Sequence, residues 1–144
     1  MNVGAILGQK GRKVITVAAY SSLQDVAKLL AENGIGCIVV VDDNEKVVGV
    51  ISERDIVRGL GENGPEVLKS PVAALMTSEV ITCKERDTVD RVMAVMSSHR
   101  FRHMPVVEND QLIGIVSIGD VVKTKIASAE MEAEAMREYI VARR

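Results

Sequence analysis

Two serine–carboxylate pairs recur in this chain at one spacing. Ser52 and Asp55 close the run Gly49-Val50-Ile51-Ser52-Glu53-Arg54-Asp55, and Ser117 and Asp120 close Gly114-Ile115-Val116-Ser117-Ile118-Gly119-Asp120. Each run reads as an apolar strand that ends on a hydroxyl, with a carboxylate following where a helical pattern begins. A serine at a strand end and an aspartate in the first helical turn can aim both side chains, with unpaired backbone amides, into one cleft. A carboxylate placed so can accept hydrogen bonds from both vicinal hydroxyls of a sugar. For either pair alone the competing reading is a plain helix cap.

The elements that must position these pairs form a repeat. Val14-Ile15-Thr16-Val17 aligns with Val80-Ile81-Thr82-Cys83, and Leu23, Val26, Ala27 and Leu30 align with Val89, Val92, Met93 and Met96, all at a shift of 66 residues. After the turn the shift is 65, because Asp43-Asn44-Glu45-Lys46 is one residue longer than Asn109-Asp110-Gln111. A one-residue change in a hairpin turn leaves the flanking registers intact. Each copy is expected to run strand, helix, strand, strand, helix, after a lead-in turn at Val3–Leu7 or Val72–Met76 that feeds the first strand. Ser21 with Gln24, and Asp87, are the expected first-helix caps, and Gly34 is an expected left-handed stop where the second copy carries Arg100. Ile38–Val41 and Met104–Val107 are β-branched or apolar runs too short for helices. The turn chemistry of Gly61–Pro65 and Ser70-Pro71 places a boundary between repeats. The resulting division is 1–62, a linker 63–71, 72–124, and a C-terminal helix 125–144.

Composition narrows the function classes. With 47% hydrophobic and 26% charged residues, the 144-residue chain can bury a core in one domain or two docked halves. A formal net charge of -2 gives no global attraction to nucleic acid or anionic membrane, and 2% aromatics with no Trp argue against base-stacking platforms. No membrane-length apolar run and no export pattern are found, so the expected location is the cytoplasm. Cys37 and Cys83 lie in or beside apolar strand patterns without ligand spacing and read as small hydrophobes.

The order of elements, with Gly-h-h-Ser-x-x-Asp closing both copies, resembles the CBS domain family over nearly all of residues 3–124, as the tandem pair called a Bateman module. The resemblance implies an α/β fold of two layered α+β repeats packed about a pseudo-two-fold axis, with two clefts that commonly take adenosine-containing ligands. It makes Asp55 and Asp120 the expected ribose readers, with Ser52 and Ser117 as sugar or phosphate contacts. Thr16 and Thr82 would lie beside the base, and backbone groups of Ile38 or Met104 would read it. In such pairs phosphates held by one repeat often reach the basic strand of the other. Arg54, with Arg102 and His103 of His99–Met104-Pro105, is therefore expected at the Asp55 cleft. Because side chains alternate along a strand, only one of Arg102 and His103 should face it, and Arg102 is the better candidate. The Asp120 cleft has Gly119 where the first copy has Arg54 and faces the neutral Gly36-Cys37 segment. It should hold phosphate less strongly, and would suit a ligand less charged at that end or the second half of a dinucleotide. AMP is the leading ligand, with ATP, ADP, NAD(H) and S-adenosylmethionine as alternatives.

The tail from Val121 to Arg144 has no Gly or Pro, and Val122, Ile126, Ala129, Ala133, Met136 and Ile140 follow heptad a/d spacing. It either covers the protein's own surface or braces a homodimer. No nucleophile motif, Walker loop, helical His pair or carboxylate cluster suited to Mg²⁺ is present. The expected protein is a regulatory nucleotide sensor with an unknown effector protein. A ligand-free dimerisation module and a nucleotide-acting enzyme with His103 as its base are the competing classes.

Overall fold

The structure is a computed structural model and describes residues 1–142. Five helices and five strands are ordered α1 (Val3–Lys10), β1 (Thr16–Ala18), α2 (Leu23–Asn33), β2 (Cys37–Val41), β3 (Val47–Ser52), α3 (Glu53–Asn63), α4 (Val89–His99), β4 (His103–Glu108), β5 (Gln111–Ser117) and α5 (Ile118–Ala142). Two short 3-10 turns, Pro65–Lys69 and Val72–Ala74, lie between α3 and α4.

The repeat is reproduced register for register. In the first unit β2 pairs antiparallel with β3 (Ile38 with Ile51) and parallel with β1 (Val17 with Val40). In the second, β4 pairs with β5 (Met104 with Val116), and both hairpins carry an irregularity at the same place, Val40/Val41 and Val106/Val107. The expected first strand of the second unit is reduced to one parallel bridge, Cys83 with Val106. Pro105 explains the loss. In the first unit the Val39 amide donates to the Ile15 carbonyl, but the equivalent residue of β4 is Pro105, which has no N–H to offer Ile81. The ladder stops at Cys83, whose amide donates to the Pro105 carbonyl at 3.0 Å.

Two caps fall one residue later than the sequence suggests. Ser22, with its extended backbone, caps α2 by accepting from the Asp25 amide, and Thr88 caps α4 by accepting from Arg91. The Asp87 carboxylate is occupied upstream by the Lys84 amide, and the Ser21 carbonyl accepts from Val72. Gly34 and Arg100 both end their helices in the left-handed region, at φ 60° and 58°.

The lead-ins are exchanged between units. Val3, Ile6 and Leu7 of α1 are buried with Val89, Val92, Met96 and Met104 in the second core. Val67 and Val72 join Leu23, Val26, Ile38 and Ile51 in the first. Hydrogen bonds fasten each lead-in at the start of the other unit's first helix: Val3 N–H to Asp87 O and Val89 N–H to Met1 O on one side, Leu23 N–H to Ser70 O and Val72 N–H to Ser21 O on the other. Segment 63–71, read as linker, thus contributes to a core. At the other end, the last helix of the repeat and the C-terminal helix are one continuous 25-residue helix, α5. Its expected last two positions, 143 and 144, lie outside the described residues.

Candidate functional site

The two serine–aspartate pairs form the same local structure. Ser52 Oγ accepts from the Asp55 amide at 3.2 Å, and Asp55 Oδ2 accepts from the Ser52 amide at 2.9 Å. Ser117 and Asp120 repeat this at 3.2 and 2.8 Å. Each aspartate is therefore a helix cap, a reciprocal one. Beyond that point the pairs diverge.

Asp55 borders a cleft of about 340 Å³ built from both units. The first supplies Gly36, Cys37, Val50, Ser52, Glu53, Arg54, Asp55 and Arg58, and the second Thr77, His99, Arg100, Phe101, Arg102 and His103. Its size lies in the range of small-molecule sites. Oδ2 of Asp55 is used by the cap, whereas Oδ1 has no protein donor among the described residues. Of the first α3 amides, Glu53 donates to the Gly36 carbonyl at 2.9 Å and Asp55 to Ser52 Oγ, leaving the Arg54 amide without an acceptor among the described residues. Arg54, Arg58, Arg100 and Arg102 line this cleft, and among the described residues none of them forms an ion pair. A free carboxylate oxygen, a free helix N-terminal amide and unpaired guanidinium groups around one cavity suit a ligand with hydroxyls at one end and anionic oxygens at the other.

Arg102 and His103 both line the cleft, contrary to the alternation argument. Strand β4 begins at His103, so Arg102 lies in the bend before it and is free of the pleat. Burial, helped by the charge of Lys10, holds the His103 imidazole below its ordinary pKa against the opposing pull of Glu53 and Asp120. Burial, with the nearby Asp55 carboxylate, pushes the Cys37 thiol up to about 12, so this cleft residue is a neutral wall. Cys83 is likewise raised to about 12, chiefly by burial, and both cysteines are free.

Asp120 is engaged from within the chain. Lys10, at the end of α1, places Nζ 2.7 Å from Asp120 Oδ2 and 3.0 Å from the Ile115 carbonyl. In the first unit the carbonyl equivalent to Ile115 is that of Val50, and it accepts instead from the Thr77 amide at 2.9 Å. A backbone amide at the Asp55 site is thus replaced by an ammonium group at the Asp120 site. Burial works to raise the Asp120 pKa, but the Lys10 and Ser117 hydrogen bonds outweigh it and hold the carboxyl below its ordinary value.

The remaining candidates lie elsewhere. Thr16 and Thr82 are both exposed, and Thr16 lines a different groove with Arg12 and Gln111. Ile38 and Met104 are fully buried in the two cores, and Pro105 is buried beside Met104. None of these five lines the Asp55 cleft. Gly119 is exposed on the first turn of α5. The threonine that does reach the Asp55 cleft is Thr77, bridged to Val50 at the edge of β3. No local pattern marks it, because the exchanged lead-in carries it there.

Comparison with known proteins then decides the family. The CBS domain model matches residues 7–62 and 72–126. The chain belongs to the CBS domain family. Among solved structures this CBS pair resembles a CBS-domain containing protein from Agrobacterium tumefaciens (TM-score 0.85, 41% identity, 87% of this chain and 99% of that one). It also resembles the CBS domain pair of protein MJ0100 in complex with 5-methylthioadenosine and S-adenosyl-L-methionine (TM-score 0.80, 29% identity, 89% and 98%). Among curated relatives it is 33% identical to the mitochondrial CBS domain-containing protein CBSX3 of Arabidopsis thaliana, over 83% of this chain and 60% of that protein. It is 40% identical to an uncharacterized 33.4 kDa protein of Thermofilum pendens, over 73% of this chain and 34% of that one. The CBS pair thus spans roughly a third to two thirds of the length of these relatives. No helix among its described residues is long and apolar enough to cross a membrane.

Proposed function

We propose that this CBS pair is a regulatory module that binds an adenosine-containing ligand in the Asp55 cleft. The observation that carries the reading is the union, in one cavity, of a half-free carboxylate from one repeat with unpaired guanidinium groups from both. Asp55 accepts from the ribose hydroxyls, the Arg54 amide and side chain with Arg102 and His103 hold phosphate, and Thr77 and Cys37 border the ligand. AMP is the leading candidate, followed by ADP, ATP and NAD(H). S-adenosylmethionine is kept because a similar CBS pair was solved with it. The ligand spans side chains of both repeats, so its arrival changes how they sit together, in a cytoplasmic homodimer read by an effector protein. Among the described residues no cleft group is a nucleophile with a partnered base, and the role proposed is a regulatory one.

The Asp120 side is the weaker half of the proposal. Its carboxylate, with Ser117 and Gly119, offers a ribose only the Oδ1 oxygen beside a charge that Lys10 already pairs, and the base contacts expected of Thr82, Met104 and Pro105 have less to support them, since Met104 and Pro105 are buried. Calorimetry with AMP, ADP, ATP, NADH and S-adenosylmethionine at about 100 μM protein, well above the ~1 μM affinity class, tests the reading directly. Binding lost with Asp55→Ala and retained with Asp120→Ala is the expected result. Absence of heat from all five ligands would remove it in favour of a ligand-free dimerisation module.

A further inference from the structure

Helix α5 leaves its own chain behind. Val121 is its only buried residue, and every described residue after Ser128 is exposed. The stretch 129–142 prolongs a helix already nucleated on the second unit, and no burial against its own chain adds to its stability. Its apolar seam is uncovered: Val122, Ile126, Met136 and Ile140 are each about half exposed, and Ala129 and Ala133 are exposed between them.

With Ile126, Ala133 and Ile140 at a and Val122, Ala129 and Met136 at d, the flanking charges specify an occupant. Lys125 and Glu132 fall at g, Lys123, Glu130 and Arg137 at e. In a parallel two-stranded coil each g residue meets the e residue five positions on in the other helix. Lys125 then faces Glu130, and Glu132 faces Arg137, twice over by symmetry. A fully overlapped antiparallel coil would instead oppose Glu130 to Glu130, Glu132 to Glu132 and Lys123 to Arg137, all like charges. Within the chain Lys125 bonds Asp90 and Arg137 bonds Glu134, but both pairs are exposed and easily shared. We propose that α5 pairs with α5 of a second copy as a parallel, in-register coiled coil. This deepens the homodimer reading above by naming the surface and its polarity.

Two variants, each adding one cysteine, read the polarity. Native Cys37 and Cys83 are buried, so a disulfide at α5 reports α5 alone. Ile126→Cys by itself and Met136→Cys by itself should each form a covalent dimer under mild oxidation, with an unchanged circular dichroism melt when reduced. Cross-linking only in a mixture of the two variants identifies an antiparallel coil and overturns the proposal. Glu132→Arg should weaken the dimer in sedimentation roughly five- to ten-fold, and adding Arg137→Glu should restore it. A full-length chain that sediments as a monomer defeats the homodimer reading and this proposal together. A dimer that survives truncation after Lys125 keeps the homodimer reading and defeats the coiled coil alone.

Discussion

At the scale of the residue, the two oxygens of Asp55 are proposed to do two jobs. Oδ2 closes the cap on α3, and Oδ1, which has no protein donor among the described residues, is the one proposed to meet a ligand. Asp55→Asn preserves an acceptor for the Ser52 amide while removing the charge, so the two jobs separate. Thermal stability should shift by less than about 1 kcal/mol, whereas ligand affinity should fall by about 1.5–3 kcal/mol, or roughly ten- to one-hundred-fold, in calorimetry. Asp120 differs at Oδ2: that oxygen is shared between the Ser117 amide and the Lys10 ammonium, so its charge is paired within the chain, although its Oδ1 has no protein donor among the described residues. Its folded pKa is depressed, so the ion pair contributes fully above the ordinary carboxylate value and the contribution disappears as pH falls through the folded one. Lys10→Met should therefore cost stability at neutral pH, under about 1 kcal/mol for a partly exposed pair, and less once Asp120 is protonated, when only the bond of Lys10 to the Ile115 carbonyl is left to lose. Denaturant melts of both proteins at neutral and at strongly acidic pH would display the narrowing; a constant gap would show that the Asp120 ion pair contributes nothing.

At the scale of the element, one helix end borders the cleft and two strand glycines set the packing of the units. Arg100 ends α4 at φ 58°, a conformation that costs a side-chain-bearing residue about 1–2 kcal/mol and that Gly34 adopts freely in the first repeat. Arg100→Gly should raise the melting temperature despite the greater flexibility glycine gives the unfolded chain, while weakening phosphate binding because a guanidinium leaves the cleft. Gly49 and Gly114 recur in the two sheets for a packing reason. A Cβ on Gly49 would lie 2.5 Å from Met76 Sδ, and one on Gly114 2.7 Å from a Leu7 methyl, so each sheet admits the other unit's lead-in only where the side chain is missing. Gly49→Ala should destabilise by about 1–3 kcal/mol, the cost of overpacking, as read from chemical denaturation.

At the scale of the whole molecule, the exchanged lead-ins give each repeat a share in the core of the other. Removing residues 1–10 takes Val3, Ile6 and Leu7, all buried, out of the second core. At about 1.5–3 kcal/mol for each, the loss rivals the entire stability of an ordinary domain. The truncated chain should lose amide-exchange protection in β4 and β5 first, although the deletion lies at the far end of the sequence. Retained protection there would show that the second unit stands by itself.

Apart from the second unit's first strand, which Pro105 reduces to a bridge, the amino-acid sequence by itself specified the duplicated strand–helix order, the serine–aspartate spacing at both helix starts and the heptad stripe of α5. These depend on periodicity, turn chemistry and capping between neighbours, all of which act over a few residues. Cap positions slipped by one where tertiary partners claimed Ser21 O and Asp87 instead. The tertiary structure alone decided that Thr77 rather than Thr16 borders the Asp55 cleft, that Arg102 and His103 both reach it, and that Lys10 sits on Asp120. Each of those outcomes brings together residues far apart in the chain, and the burial of apolar lead-ins in the opposite core determines them.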